Sequence, residues 1–391
     1  MLNALSGSLT EYDLIQKIVE DTFKSKLNQM PLLATEYEVG IKSRVEALIR
    51  RLDIESNDDV HMVVIYGLGG VGKTTMARTI YNKISYQFKA KKFLENVRER
   101  SETHECIIRL QETLLYDISQ NQNLKVNNVS RGTYMIYEIL RLERVLIILD
   151  DVDDVDQIKN LLGKCDWFAP GSRIIMTTRN KQLLVNLKNG VSTYDYYDYE
   201  VKELDEYEAI ELFRKHAFPS NILCEDYLEL ENQVVHFAKG LPLALKVMGV
   251  DLCGKTIHEW KDALNCYEKS PHKDIQKVLK RSYEGLNENE QIIFLDIACF
   301  FKKNDMMNYD MIKDVLEACG LNPISGIRKL IDKCLLTIDK DNYLLMHDLL
   351  QKMGMDIVRQ EAPEKPEERS RLWCYEEAFD VVTKSMVCMS F

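Results

Sequence analysis

Residues 67–75 read GLGGVGKTT and directly follow the short apolar run VVIY at residues 63–66. The stretch satisfies the pattern G-x-x-x-x-G-K-[ST], in which glycines let the backbone curl so that its N–H groups face a phosphate. In this pattern the lysine, here Lys73, reaches the β- and γ-phosphates, and the hydroxyl of Thr74 holds a magnesium ion. A helix beginning near Lys73 would direct its positive end at the same anion. The sequence therefore predicts a P-loop that binds ADP or ATP with Mg²⁺.

The predicted phosphate contacts run along the whole loop: Gly67, Gly69, Gly70, Val71, Gly72, Lys73, Thr74 and Thr75. The same glycines also spell G-x-G-x-x-G, the dinucleotide-binding fingerprint, with Glu95 as a possible ribose ligand. A dinucleotide site has no use for a Lys-Thr pair after the glycines. It also leaves a strand that ends in two aspartates, at residues 145–151, unexplained. We therefore favour the P-loop.

Charged residues end two further apolar strands. The run VLIIL at residues 145–149 is followed by Asp150 and Asp151, and the run RIIMTT at residues 173–178 is followed by Arg179. A P-loop site needs an acid for the magnesium shell, and we assign this role to Asp150, together with Thr74. Asp151 either polarises the attacking water or is a solvated acid at a strand end. Arg179 is either a sensor of the γ-phosphate or a surface arginine.

The arrangement of apolar runs indicates the fold class. Continuous apolar strands separated by helical segments indicate a parallel sheet that is covered on both faces. After about Glu200 no strand is predicted for over a hundred residues. The predicted helices there cover residues 207–218, 228–238, 243–253, 259–267 and 275–283, and the nearly all-apolar segment 291–301 is predicted to be a buried helix.

Both ends of the chain carry weaker signals. Residues 11–27 have a single apolar stripe at helical spacing, and a linker follows as far as Glu38. Near the other end, residues 335–338 and 343–346 flank the turn sequence DKDN and predict a hairpin. Helices followed by a hairpin are typical of a winged helix. The predicted fold class is thus an α/β P-loop NTPase domain, then an all-helical subdomain, then a winged-helix subdomain.

Composition excludes several other classes. A length of 391 residues predicts two to four domains, and 51 basic against 62 acidic residues give a net charge of −11, which makes nucleic-acid binding unlikely. The ten cysteines form no Cys-x-x-Cys pair, so neither a zinc site nor a redox motif is indicated. There is no signal peptide and no long apolar run. We expect a cytoplasmic or nuclear protein with no membrane partner.

The order of motifs resembles the NB-ARC module of plant intracellular disease-resistance receptors, within the STAND class of signalling ATPases. The pieces that carry the resemblance lie in the family's order: VGIKSRVEAL (39–48), GLGGVGKTT (67–75), FLENVRE (93–99), VLIILDDVDD (145–154), GSRIIMTTRN (171–180), YEVKELDEYEAIELFRKHAF (199–218), GLPLALKVMG (240–249), FLDIACFF (294–301) and MHD (346–348). Single pieces are weak evidence, but their joint order is specific. The resemblance covers nearly the whole chain.

The subclass resembled is the TIR subclass. FLENVRE, the aspartate at position 153 and FLDIACFF are similar to its patterns. The resemblance implies TIR and leucine-rich-repeat regions in a full-length receptor, and the NAD-cleaving activity of TIR domains is not assigned to this chain. It also implies the division into a connector, a nucleotide-binding domain, an ARC1-like helical domain and an ARC2-like winged helix, at residues 1–34, 35–198, 199–273 and 274–391.

The resemblance also implies roles for single residues. Val39 and Gly40 would pack near the adenine, and Pro242 would pack on the base. His347 would approach the β-phosphate of ADP, and Asp348 would hold the inactive arrangement. The residues alone favour a histidine at a hairpin end for His347 and an acid that opens the following helix for Asp348.

Together these features predict a nucleotide-controlled switch that is off with ADP and on, and self-associating, with ATP. At most it would be a slow ATPase. One alternative is a P-loop kinase or metabolic ATPase, but no acceptor site or lid is visible in the sequence. The other is a DNA-binding winged helix, which the acidic turn at residues 339–342 disfavours.

Overall fold

The computed structural model describes residues 31–33, 37–119, 124–163, 167–189, 196–218, 225–301 and 308–388. The helix predicted over residues 11–27 lies outside these ranges. Within them, no helix is long and apolar enough to cross a membrane.

A five-stranded parallel sheet forms the first part of the structure. Its strands are β1 (His61–Tyr66), β2 (Ala90–Leu94), β3 (Val145–Val152), β4 (Arg173–Thr178) and β5 (Tyr196–Glu200), in the spatial order β2-β3-β4-β1-β5. The three strands predicted from apolar runs are confirmed, and β2 and β5 were not predicted as strands.

Helices cover both faces of this sheet, because alternate strand residues point to opposite sides. Ile65 and Ile148 belong to one buried cluster, whereas Val64 and Ile147 belong to the other. The covering helices are α1 (Lys42–Leu52), α2 (Lys73–Ile84), α3 (His104–Ser119), α4 (Val129–Leu140), α5 (Val155–Leu162) and α6 (Gln182–Asn189). The predicted two-sided burial is therefore confirmed, and every residue of β3 is buried.

Five helices follow, and the described residues between them contain no strand, as predicted: α7 (Glu206–Ala217), α8 (Leu228–Ala238), α9 (Pro242–Leu252), α10 (Ile257–Lys269) and α11 (Lys273–Glu284). Capping boxes start α7 at Asp205 and α10 at Thr256, each with a glutamate three residues later. The buried Trp260 packs against Phe213 and donates its indole N–H to the carbonyl of Leu252 at 2.9 Å. This aromatic centre holds the helices together beside the sheet.

The last part is a winged helix. It comprises α12 (Glu288–Phe300), α13 (Tyr309–Ala318), α14 (Pro323–Asp332), the antiparallel pair β6 (Thr337–Ile338) and β7 (Leu344–Leu345), and α15 (Asp348–Glu361), and α16 (Tyr375–Cys388) follows. Helix α12 buries Phe294, Leu295 and Ile297, so the prediction of a core helix is confirmed. The predicted hairpin is also present, although its strands are only two residues long.

Candidate nucleotide-binding site

The P-loop joins β1 to α2 and lies at the carboxyl edge of the sheet. Gly67, Gly70 and Gly72 have φ angles of 144°, 83° and 103°, which side chains rarely adopt. Space is also restricted, because a Cβ on Gly70 would lie 2.8 Å from the Cβ of Leu243 on α9. The loop therefore requires glycine for both its conformation and its contact with the helical subdomain.

Lys73 opens α2 and is buried at the centre of the loop. Its Nζ donates hydrogen bonds of 2.8 Å to the carbonyls of Gly67 and Leu68. Burial, assisted by the nearby guanidinium of Arg179, lowers the pKa of the Lys73 ammonium to about 8. Because both acceptors are neutral carbonyls, an anion bound here would raise this pKa again. The loop is thus built for an anionic ligand.

Asp150 lies beside Thr74 at the end of β3. The hydroxyls of Thr74 and Thr177 both donate to its Oδ1, at 2.8 and 2.6 Å. Burial raises the pKa of this carboxyl group, and the two hydrogen bonds act in the opposite direction. A hydroxyl and a carboxylate are oxygen ligands of the kind that Mg²⁺ prefers. The predicted pair Thr74 and Asp150 therefore fits a magnesium ion.

Asp151 is held between two arginines. Its Oδ1 lies 3.1 Å from Nε of Arg179, and its Oδ2 lies 3.2 Å from Nη2 of Arg98. The side chain is 11% exposed and the backbone adopts a positive φ of 57°. The interpretation as a solvated acid is therefore wrong. A role in polarising water stays a prediction.

Arg179 does not point to the solvent, so the surface-arginine alternative is wrong. Burial lowers the pKa of its guanidinium. Its Nη1 donates to the carbonyl of Val278 on α11 at 2.9 Å. A Cβ on Gly69 would lie 3.1 Å from the same Nη1. Arg179 thus joins the P-loop, the strand ends and α11.

One cavity connects these groups. Its volume is about 330 Å³, within the range of roughly 300–1,000 Å³ that is usual for small-molecule sites. Most of the predicted site residues line it: Val39, Gly70, Val71, Gly72, Lys73, Thr74, Thr75, Asp150, Asp151, Arg179 and Pro242. The structure therefore brings together residues that are separated by up to two hundred positions in the chain.

Part of the cavity lining is apolar. It comprises Val39 and Pro242 together with Ile41, Leu204 and Leu212. Pro242 is the first residue of α9, the position at which a helix tolerates proline best. Such a surface suits the flat face of a nucleotide base, and the position of the adenine stays a prediction.

Four predicted residues do not line the cavity. Gly67 and Gly69 lie in the loop behind it, and Gly40 packs against Leu204 and Glu208. His347 does not line it either. This histidine caps α15, because its Nδ1 accepts the backbone N–H of Leu349 at 3.1 Å. The predicted contact of His347 with ADP stays a prediction.

Several lining residues were missed from the sequence. Tyr37, Arg44, Asn96, His216, Lys246 and Val278 also line the cavity. Arg44 forms an ion pair of 2.8 Å with Glu208 on α7. Four of the six lie inside quoted motifs and could have been considered from their places there: Arg44, Asn96, His216 and Lys246.

Comparison with known proteins agrees with this geometry. The family model of the NB-ARC domain matches residues 41–223, and the winged-helix domain of Roq1-like disease resistance proteins matches residues 287–362. The Walker-type ATPase PABY2304 of Pyrococcus abyssi has a similar fold, with a TM-score of 0.55 at 15% identity over 83% of this chain and all of that one. The chain is thus a P-loop protein of the ATPase fold that carries an NB-ARC domain.

Its relatives define the family further. The chain is 45% identical over 93% of its length to the disease resistance protein RUN1 of Vitis rotundifolia, and 39% identical over 97% to the TMV resistance protein N of Nicotiana glutinosa. It belongs to the NB-ARC family of plant disease resistance proteins, in the TIR subclass that its motifs resemble. The chain spans 26% and 32% of the length of these two curated relatives.

Proposed function

We propose that this chain is an ADP/ATP switch of an intracellular immune receptor, with ADP in the off state and ATP in the on state. One observation carries the proposal: a single cavity is lined from all three predicted domains. Val39 and Lys73 lie in the domain at residues 35–198, Pro242 in that at 199–273, and Val278 in that at 274–391. A nucleotide bound there would contact every part whose arrangement has to change.

Each group has a specific part in this proposal. Lys73 and the loop amides would bind the phosphates, and Thr74 with Asp150 would hold Mg²⁺, which supplies positive charge at the terminal phosphates. Val39, Gly40 and Pro242 would position the base. His347 would approach the β-phosphate once the winged helix closes. A nucleotide that binds the off form and the on form with equal affinity would not shift the equilibrium between them. The switch therefore requires that ADP and ATP differ in their relative affinities for the two forms.

The wider setting is also proposed from the family. Full-length receptors would add TIR and leucine-rich-repeat regions, and the ATP form would self-associate in the cytoplasm or nucleus. The length of the relatives, three to four times that of this chain, supports further regions around the module.

The proposal is tested by identifying the nucleotide that co-purifies with the protein. We expect ADP in near-equal molar amount in the wild type and none in Lys73→Ala, because the substitution removes the charge opposite the phosphates. Lys83→Ala, at the other end of α2, is the matched control and should retain ADP. Equal nucleotide content in wild type and Lys73→Ala would refute the assignment of the site.

A further inference from the structure

Helix α11 lies directly on the phosphate end of the cavity. A Cβ on Gly69 would lie 3.4 Å from the carbonyl oxygen of Val278 and 3.5 Å from its Cγ1, so the helix lies close to the P-loop at this glycine. A second link joins the helix to the nucleotide-binding domain, because Arg281 forms an ion pair of 2.9 Å with Glu99. Helix α11 is therefore docked by two separate contacts.

The first of these contacts uses Arg179. Its Nε pairs with Asp151, which fixes the side chain, and its Nη1 donates to the carbonyl of Val278. A Cβ on Gly69 of the P-loop would lie 3.1 Å from the same Nη1, and Arg179 and Lys73 both line the cavity where the phosphates would bind. The guanidinium is thus within electrostatic reach of the phosphate site while one N–H group is engaged by α11.

A terminal phosphate and a neutral carbonyl are unequal acceptors. An ionised phosphate adds a direct attraction between opposite charges to its hydrogen bonds with a guanidinium, and two such bonds can form in parallel, whereas the carbonyl of Val278 is neutral and accepts one. A diphosphate presents no γ-phosphate and leaves the contact with Val278 in place. A triphosphate would draw the same N–H groups away from α11.

We infer that the Val278 carbonyl and the γ-phosphate of a nucleoside triphosphate compete for Arg179, so that docked α11 disfavours the triphosphate relative to the diphosphate. This inference rests on the proposed nucleotide site and specifies how that site is regulated. Whatever strengthens the docking of α11 raises the preference for ADP. Whatever weakens it raises the relative affinity for ATP.

The test weakens the second contact, between Arg281 and Glu99, which lies outside the cavity lining. Affinities for ADP and for the non-hydrolysable analogue AMP-PNP are measured by calorimetry in the whole chain, as wild type, Glu99→Gln and Arg281→Gln. Both variants should raise the affinity for AMP-PNP relative to ADP by about two- to fivefold, the range expected from loss of a partly exposed ion pair.

The two variants separate docking from simple charge effects. Glu99→Gln removes a negative charge and Arg281→Gln a positive one, so a charge effect alone would shift the ratio in opposite directions. Lys280→Gln is the matched control, because Lys280 pairs with Glu284 inside the same helix and should leave the ratio unchanged. Opposite shifts, or an equal shift in Lys280→Gln, would overturn the inference.

A double variant tests the part played by Arg179. In an Arg179→Ala background, Glu99→Gln should no longer change the ratio of the affinities for AMP-PNP and ADP, because the guanidinium for which the two acceptors compete is absent. A response that persists would overturn the competition and leave nucleotide binding itself intact. Failure of the wild type to bind either nucleotide would instead refute the proposed site, and the inference with it.

Discussion

The ion pair between Asp348 and Lys239 offers a direct test of how the winged helix is held. Asp348 is the first residue of α15, and its Oδ2 lies 3.6 Å from Nζ of Lys239, which ends α8 with a positive φ of 48°. His347, and not Asp348, provides the side-chain cap of α15. The pair therefore connects the winged helix with the helical subdomain independently of the cap.

The expected size of the effect follows from exposure. The two side chains are 28% and 31% exposed, and a pair of this kind contributes about 0.2–1 kcal/mol. If only the closed, ADP-bound form contains the pair, Lys239→Gln and Asp348→Asn should each speed ADP release by a factor of about 1.4 to 5. Asp348→Asn also removes a favourable charge at a helix start, about 0.3–1 kcal/mol, so it should lower the melting temperature more.

The assay is displacement of a fluorescent ADP analogue followed by stopped flow. The double variant should release the analogue no faster than either single variant, because the pair is broken once. Lys215→Gln, which breaks a pair with Glu211 inside α7, is the control and should release it at the wild-type rate. The reasoning is refuted if both single variants release the analogue at the wild-type rate and only Asp348→Asn has a lower melting temperature. Asp348 would then act only as an acid that stabilises the start of α15.

Three further outcomes are expected. Asp150→Ala should impair hydrolysis more than ADP binding, because Mg²⁺ matters most where charge develops on the γ-phosphate; unchanged turnover would exclude Asp150 as the magnesium acid. Because burial lowers the pKa of free Lys73 to about 8 and phosphate would raise it, nucleotide affinity should fall as pH rises through 8. Calorimetry in two buffers should then detect uptake of about half a proton at pH 8 and about a tenth at pH 7, and uptake that does not vary with pH would contradict this. Gly70→Ala should lower the free energy of unfolding, measured by urea denaturation, by about 1–3 kcal/mol. Gly72→Ala should cost less, because its Cβ would meet no atom within 4 Å.

The central strands were predictable and the edge strands were not, for a physical reason. Every residue of β3 is buried, so its apolar run is unbroken in the sequence. Strand β2 carries Lys91 and Lys92, and β5 reads YYDYE, with its second and third residues exposed. Both are edge strands, with one neighbour each and one side free. Their extended structure comes from pairing with that neighbour, which a local pattern does not record.

The candidate site likewise has a part that could be predicted from the sequence and a part that could not. The P-loop was predictable because its geometry depends on the glycines and the lysine within nine consecutive residues. The contact of Arg179 with Val278 spans 99 positions, and the pair of Arg98 with Asp151 crosses from the end of β2 to that of β3. No local pattern reports such contacts, because they depend on how the domains pack.

Three of the contacts that cross between parts of the chain differ in what a nucleotide would do to them. The backbone N–H of Leu243 donates to the carbonyl of Gly70 at 3.2 Å, and that of Lys181 donates to the carbonyl of Asp332. Neither uses a group that binds a γ-phosphate in the proposed site. The contact of Arg179 with Val278 does use such a group. In the proposed site ADP would be compatible with all three contacts, whereas ATP would compete with one. Since a ligand shifts an equilibrium only by its unequal affinity for the two forms, this one contact is where we expect the difference between ADP and ATP to arise.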